Sequence, residues 1–266
     1  MATTEDFRGR WALVTGASSG IGAAIARELA RAGAKLILSA RRRERLEALA
    51  SELAAQGTDV RVVTADLRDP AAPLKIFDEI AAENIEIDIL INDAGLGQFA
   101  AFCECQAEQE LAQVAVNCDA VVRLSRLFVP HMVRRGRGWV LIVASTASFQ
   151  PLPYMATYAA TKVFDRYFAL GLAEEVAPYG VKVTALCPGP TRSEFFAVSR
   201  AKILEQRGVQ PAEEVARLAV RALAQGRRML IPNLPSQLLA TLVRFVPTRL
   251  ITWAVARVAE GNLPKE

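Results

Sequence analysis

Histidine is nearly missing from this chain: His131 is the only one in 266 residues. It stands just before Arg134-Arg135-Gly136, near the end of a helical pattern, where it reads as a helix-terminal cation and not as a catalytic base. A hydrolase built on a histidine-activated serine is therefore a poor fit. Cysteine is scarce as well. Cys103, Cys105, Cys118 and Cys187 have neither the paired spacing of a zinc site nor the framework of a disulfide scaffold. They point to reduced thiols, and no metal site is expected. No uncharged apolar run approaches the ~20 residues of a membrane-spanning helix. The start, Met1-Ala2-Thr3-Thr4-Glu5-Asp6, has no signal-peptide pattern, so a cytoplasmic location is expected. The net charge of +4 is mild, its basic residues are scattered and no nucleic-acid-reading motif occurs, so nucleic acid is not an expected partner.

What the chain has in abundance is small aliphatic residue: 52% is hydrophobic but only 7% aromatic, which suits short helices packed on a parallel sheet. The length allows one large domain or two small ones, with a sizeable core. Apolar runs suggest strands at 11–15, 35–39, 60–64, 88–91, 138–143, 181–186 and 228–231. Helical patterns fall near 20–32, 43–55, 71–83, 108–134, 157–177 and 212–224. That alternation predicts βαβ units and an α/β fold, a doubly wound parallel sheet of about seven strands with helices on both faces. No repeat or linker marks a second domain, so 1–266 reads as one.

Chemistry concentrates between Ser145 and Lys162. Tyr158 and Lys162 are four residues apart, so a helix puts both on one face. A free tyrosine has a pKa near ~10, and a fixed cation beside it favours the phenolate; lowering that pKa by one takes about 1.4 kcal/mol. A phenol tuned that way can give a proton to a carbonyl oxygen or take one from an alcohol. Ser145, arriving from a strand end, is placed to hydrogen-bond the same oxygen. Far upstream, the apolar run Trp11–Thr15 leads into Gly16-Ala17-Ser18-Ser19-Gly20-Ile21-Gly22 and a helical pattern. Gly16 permits a tight turn, Gly20 lets a pyrophosphate approach backbone N–H groups, and Gly22 allows helix and strand to pack closely. The spacing is G-x-x-x-G-x-G, distinct from the commoner G-x-G-x-x-G.

With Asp66-Leu67, Asn92-Asp93-Ala94-Gly95, Asn117 and Pro188-Gly189 falling in order between and after these, the chain resembles the short-chain dehydrogenase/reductase family over residues 8–232. The resemblance implies a Rossmann-type core followed by a helical extension, 233–266. It implies Tyr158 as general acid in carbonyl reduction, and Lys162 lowering its pKa and holding a nicotinamide ribose. Ser145 polarises the carbonyl, and the backbone of Asn117 binds a water that resupplies protons. It further implies cofactor contacts from Gly16, Ser18, Ser19, Gly20, Ile21 and Gly22. Asp66 and Leu67 would flank the adenine, and Asn92, Ala94 and Gly95 the adenosine ribose. Pro188, Gly189 and Thr191 would lie at the nicotinamide amide, with Thr191 preferred over Ser193 as a phosphate-binding hydroxyl. Where the family's ribose-binding acid would sit, this chain has Ala40, followed by Arg41, which favours the 2′-phosphate of NADP(H). Ser18 and Ser19 occupy the turn where NADP-preferring relatives often carry a second basic residue. Asp93 departs from the usual Asn-Asn-Ala-Gly.

The implied function is an NADPH-dependent reductase of a ketone or aldehyde, or the reverse alcohol oxidation, working as a homodimer or homotetramer through 108–134 and 157–177. Phe195, Phe196, Val198 and Leu204 in the variable segment 192–210 suggest an apolar or acyl-type small-molecule substrate. Two alternatives remain open: a non-catalytic NADP(H)-binding regulator, and a membrane-peripheral lipid-modifying reductase. The second arises from 234–259, where two apolar helical stripes separated by Pro247 carry Arg249, Trp253 and Arg257. This tail either packs over the substrate cleft or a subunit partner, or lies on a membrane surface.

Overall fold

A computed structural model describes residues 4–199, 201 and 209–261. Strands and helices alternate through β1 (Trp11–Thr15), α1 (Gly20–Arg31), β2 (Lys35–Ala40), α2 (Arg43–Ala54), β3 (Val60–Thr64), α3 (Ala72–Ala82) and β4 (Ile87–Asn92). The chain continues through α4 (Ala107–Val114), α5 (Ala120–Arg135), β5 (Gly138–Val143), α6 (Ala156–Val176), β6 (Val181–Leu186) and α7 (Phe195–Val198). It ends with α8 (Ala212–Gln225), β7 (Met229–Leu230), α9 (Leu234–Leu242) and α10 (Thr248–Glu260). The strands form one parallel sheet in the order β3-β2-β1-β4-β5-β6-β7. The order reverses between β1 and β4, which opens a crevice beyond their carboxyl ends.

Burial explains the strand sequences. β4 and β5 are buried at every position; β5 reads as a continuous apolar run, while β4 keeps the apolar run Ile89–Ile91 and also buries Asp88 and Asn92. One face of the sheet is covered by α1, α2 and α8, through Ile25, Leu29, Leu46, Leu53, Val215 and Leu223. The other is covered by α3, α5 and α6, through Ile76, Ile80, Leu124, Phe128, Ala169 and Val176. All seven expected strands are present, although the last contracts from 228–231 to Met229–Leu230.

The span expected as one helix over 108–134 is two, α4 and α5, joined by a π-turn at Ala115–Asp119. There the Ala120 N–H reaches back five residues to the Ala115 carbonyl. One extra residue in a turn leaves the apolar pattern almost unchanged, so periodicity does not reveal it; such turns recur at functional sites. The expected C-terminal helices are α9 and α10. Ala259 on α10 is buried with Phe99, Met155 and Phe196, and the Tyr154 hydroxyl donates to Glu260 at 3.3 Å.

Candidate active site

After β1 the chain turns through Gly16 and Gly20, whose φ values of +71° and +58° are readily adopted only without a Cβ. The Thr15 hydroxyl ties this turn to the end of β4. It donates to the Ile91 carbonyl at 3.1 Å and accepts the N–H groups of Asp93 and Ala94. A Cβ on Gly22 would collide with Asp93 Oδ2 and lie 2.7 Å from the Gly16 carbonyl oxygen. Asp93 thus sits underneath the glycine turn, with its carboxylate against Gly22. Burial pushes its carboxyl up to about 7, against the opposing pull of Lys162 and the Gly22 N–H. The departure from Asn-Asn-Ala-Gly therefore places a titratable brace against the turn.

At the end of β2, Ala40 and Arg41 line the same cleft. Arg42, which belongs to none of the expected motifs, lies across the glycine turn. Its guanidinium donates to the Ser18 hydroxyl at 3.1 Å, the Ser19 hydroxyl at 3.0 Å and the Glu194 carboxylate at 2.7 Å. Glu194 also pairs with Arg45. The second basic group thus reaches the turn from β2. Its only sequence signal is the run Arg41-Arg42-Arg43. Asp66 also faces the cleft, with its carboxylate held by Arg68, whose hydrogen bonds keep it below the usual carboxylate range.

The opposite end of the cleft holds the tyrosine. Ser145 follows β5 and caps a short turn by accepting the Ala147 N–H at 3.1 Å, and its hydroxyl pulls the Tyr158 phenol's pKa down. Tyr158, in the first turn of α6, packs on Phe195 with ring centroids 5.2 Å apart. Gly97 leaves room for both: a Cβ there would approach Phe195 to 2.5 Å and Tyr158 to 3.0 Å. One turn on, the Lys162 ammonium lies 6.0 Å from the Tyr158 ring centroid and donates to the Val143 carbonyl at 2.7 Å and to Asp165 Oδ2 at 2.9 Å.

Asp165 is the main addition to the expected set. It is buried, three residues from Lys162 on the same helix face, and its Oδ1 has no hydrogen-bond partner among the described residues. Its sequence signal is an acid three residues after Lys162 on a helical pattern, with Arg166 directly after it. Burial alone would push the Lys162 ammonium down; Asp165 and Tyr158 more than offset it and hold it above its ordinary value. For Tyr158 the balance runs opposite to the sequence expectation. Burial raises the phenol, Lys162 and Ser145 lower it, and Asp165 raises it again, so it stays above its ordinary value. A phenol in that state keeps its proton at neutral pH and can donate it.

Asn117 stands behind this wall in the π-turn, fully buried. Its amide donates to the Leu96 carbonyl and to the Thr161 hydroxyl at 2.8 and 2.9 Å, and its oxygen accepts the Leu96 N–H at 2.8 Å. Thr161 in turn donates to the Tyr158 carbonyl at 2.8 Å. The π-turn is thereby tied to the tyrosine's own turn of helix.

A single cleft of about 490 Å³ gathers the expected Gly16, Ser18, Ser19, Gly20, Ile21 and Arg41. Leu67, Ala94, Gly95, Pro188, Gly189 and Thr191 join its wall, with Ser145, Tyr158 and Lys162. Three expected residues support it from outside that lining: Gly22 beneath the turn, Asn117, and Asn92, whose amide donates to the Ser125 hydroxyl at 3.3 Å. The Thr191 hydroxyl donates to the Gly189 carbonyl, while Ser193 faces Gly20, whose Cβ would lie 3.0 Å from it. Thr191 and Ser193 both line the cleft, and Ser193 packs against the glycine turn. Leu204 lies outside the described residues.

A family model described as short chain dehydrogenase matches residues 10–203. The chain belongs to the short chain dehydrogenases. This dehydrogenase is 35% identical over 224 residues to the glycine betaine reductase ATRR of Emericella nidulans, covering 82% of this chain but 18% of that protein. It is 32% identical over 231 residues to a very-long-chain 3-oxoacyl-CoA reductase of Pyrenophora tritici-repentis, covering 78% of this chain and 67% of the relative. Among solved structures it resembles a short-chain dehydrogenase from Sphingobium yanoikuyae in complex with NADPH. The TM-score is 0.80 and the identity 33%, over 87% of this chain and 92% of the other. The dehydrogenase thus spans under a fifth of one curated relative and about two thirds of the other, and it is an oxidoreductase by family.

Proposed function

We propose that this dehydrogenase reduces a ketone or aldehyde with NADPH, or oxidises the corresponding alcohol, and that its substrate is apolar or of acyl type. The observation that carries the reading is the convergence of Ser145, Tyr158 and Lys162 on the wall of a cleft whose other end is a glycine turn flanked by Arg41. NADPH supplies the hydride when bound. The N–H groups of the glycine turn suit a pyrophosphate, and Arg41 beside the uncharged Ala40 suits a 2′-phosphate. Ser145 orients the carbonyl oxygen, Tyr158 gives it a proton, and Lys162 stabilises the phenolate left behind. Phe195, Phe196, Leu239 and Val243 make one end of the cleft apolar, and the name of the 3-oxoacyl-CoA reductase relative supports an acyl chain there. Exposed Leu111, Phe164 and Tyr167 on α4 and α6 support a homo-oligomer through that side.

Oxidation of NADPH against ketones and 3-oxoacyl thioesters graded by chain length tests the reading. Turnover should rise with apolar length. Tight NADPH binding with no turnover on any carbonyl would overturn it in favour of a regulator. Arg41→Ala should weaken NADPH binding roughly ten- to a hundredfold, the worth of a charge-assisted contact, while leaving NADH nearly untouched. Equal losses for the two cofactors in a fluorescence titration would remove Arg41 from the 2′-phosphate site.

A further inference from the structure

The C-terminal helices turn an apolar face outward. Leu238, Leu242 and Phe245 are 64%, 60% and 81% exposed, and Leu250 and Trp253 follow at 57% and 62%. Leu234, Leu238 and Leu242 recur every fourth residue and so form one stripe along α9. The other side of these helices is already occupied: Ala240 and Val243 line the cleft, and Ala259 is buried. A contiguous exposed apolar set of this kind marks an interaction surface.

Charge selects the partner. Between Glu214 and Glu260 there is no acidic residue but there are seven arginines. Arg244, Arg249 and Arg257 are exposed beside the apolar stripe, and among the described residues no carboxylate pairs with them. Arg257 lies 5.9 Å from the ring centroid of Trp253. Isologous contact with a second copy of this face would set arginines against arginines with no acid between them, which is unfavourable. Apolar side chains, an exposed tryptophan and unpaired arginines together match an anionic lipid interface. The face also runs into the cleft, because Leu239 and Val198, 51% and 66% exposed, line it as well.

We propose that α9 and α10 dock the dehydrogenase on an anionic bilayer surface, with the mouth of the cleft turned toward the lipid. The docking goes beyond the reductase reading and does not depend on it, since vesicle binding is measured without turnover.

Co-sedimentation of the full chain with phosphatidylcholine vesicles, with and without phosphatidylglycerol, tests this. Binding should be roughly a hundredfold tighter with the anionic lipid, about a factor of five for each of three arginines, and should weaken with salt. The triple change Arg244→Gln, Arg249→Gln and Arg257→Gln should abolish that difference. Phe245→Glu with Leu250→Glu should abolish binding altogether, and melting curves confirm that both variants fold. Three results would overturn the proposal: parent protein left in the supernatant with anionic vesicles at low salt; equal binding by parent and variants; or no vesicle binding together with a dimer that Phe245→Glu and Leu250→Glu dissociate.

Discussion

Replacing Tyr158 with phenylalanine should lower carbonyl reduction by roughly 10²–10⁴-fold, the range that a positioned general acid contributes. The substitution removes only the hydroxyl. The ring keeps its packing on Phe195 and its place opposite Gly97, and Lys162 keeps its bonds to Val143 and Asp165. The glycine turn and Arg41, at the far end of the cleft, are untouched, so NADPH should bind as it does to the parent. Stopped-flow turnover set beside a fluorescence titration separates the two quantities. Loss of turnover with intact binding supports the acid role; loss of both would make the tyrosine structural.

The parts of the molecule legible in the sequence are those governed by short-range rules. The glycine turn announces itself because Gly16 and Gly20 must take left-handed backbone. Tyr158 and Lys162 declare their shared face through helical spacing alone. The strands are readable because a sheet covered on both faces leaves predominantly apolar runs. What stays hidden depends on partners far along the chain. Arg42 gains its position from Ser18, Ser19 and Glu194, the last 152 residues away. Asp93 matters because it meets Gly22 across the turn, and Ser193 because it meets Gly20. The π-turn at Asn117 is visible only as a change of hydrogen-bond partner. Even the direction in which the tyrosine's pKa moves depends on the folded surroundings: burial outweighs the lowering by Lys162 and Ser145, and Asp165, which shares the lysine's charge, adds a smaller push upward.

That sharing makes Asp165→Asn the second change with a large expected effect. Removing one partner of a buried pair leaves the other uncompensated and costs about 3–5 kcal/mol. The Lys162 and Asp165 side chains are only 6% and 1% exposed, so solvent offers little relief. Lys162 is held above its ordinary value in the folded protein, so its stabilising contribution is fully present below the unfolded lysine value and is lost only as pH rises through the raised one. Burial holds the Asp165 carboxyl above its ordinary value despite Lys162, so its own charge costs stability at neutral pH, and urea melts there read the balance of the two. The kinetic consequence has a definite sign as well. Reduction needs a protonated phenol and a charged lysine. Without the Asp165 charge, burial pulls the ammonium down, and while it remains charged its undiluted field pulls the phenol down too. Both changes move the alkaline limb of the reduction rate toward lower pH. Asp165→Glu, which restores the charge, should move that limb back. A pH–rate profile unchanged in Asp165→Asn, with undiminished stability, would make the carboxylate a spectator. A loss of stability with the profile unmoved would leave it a purely structural partner of Lys162.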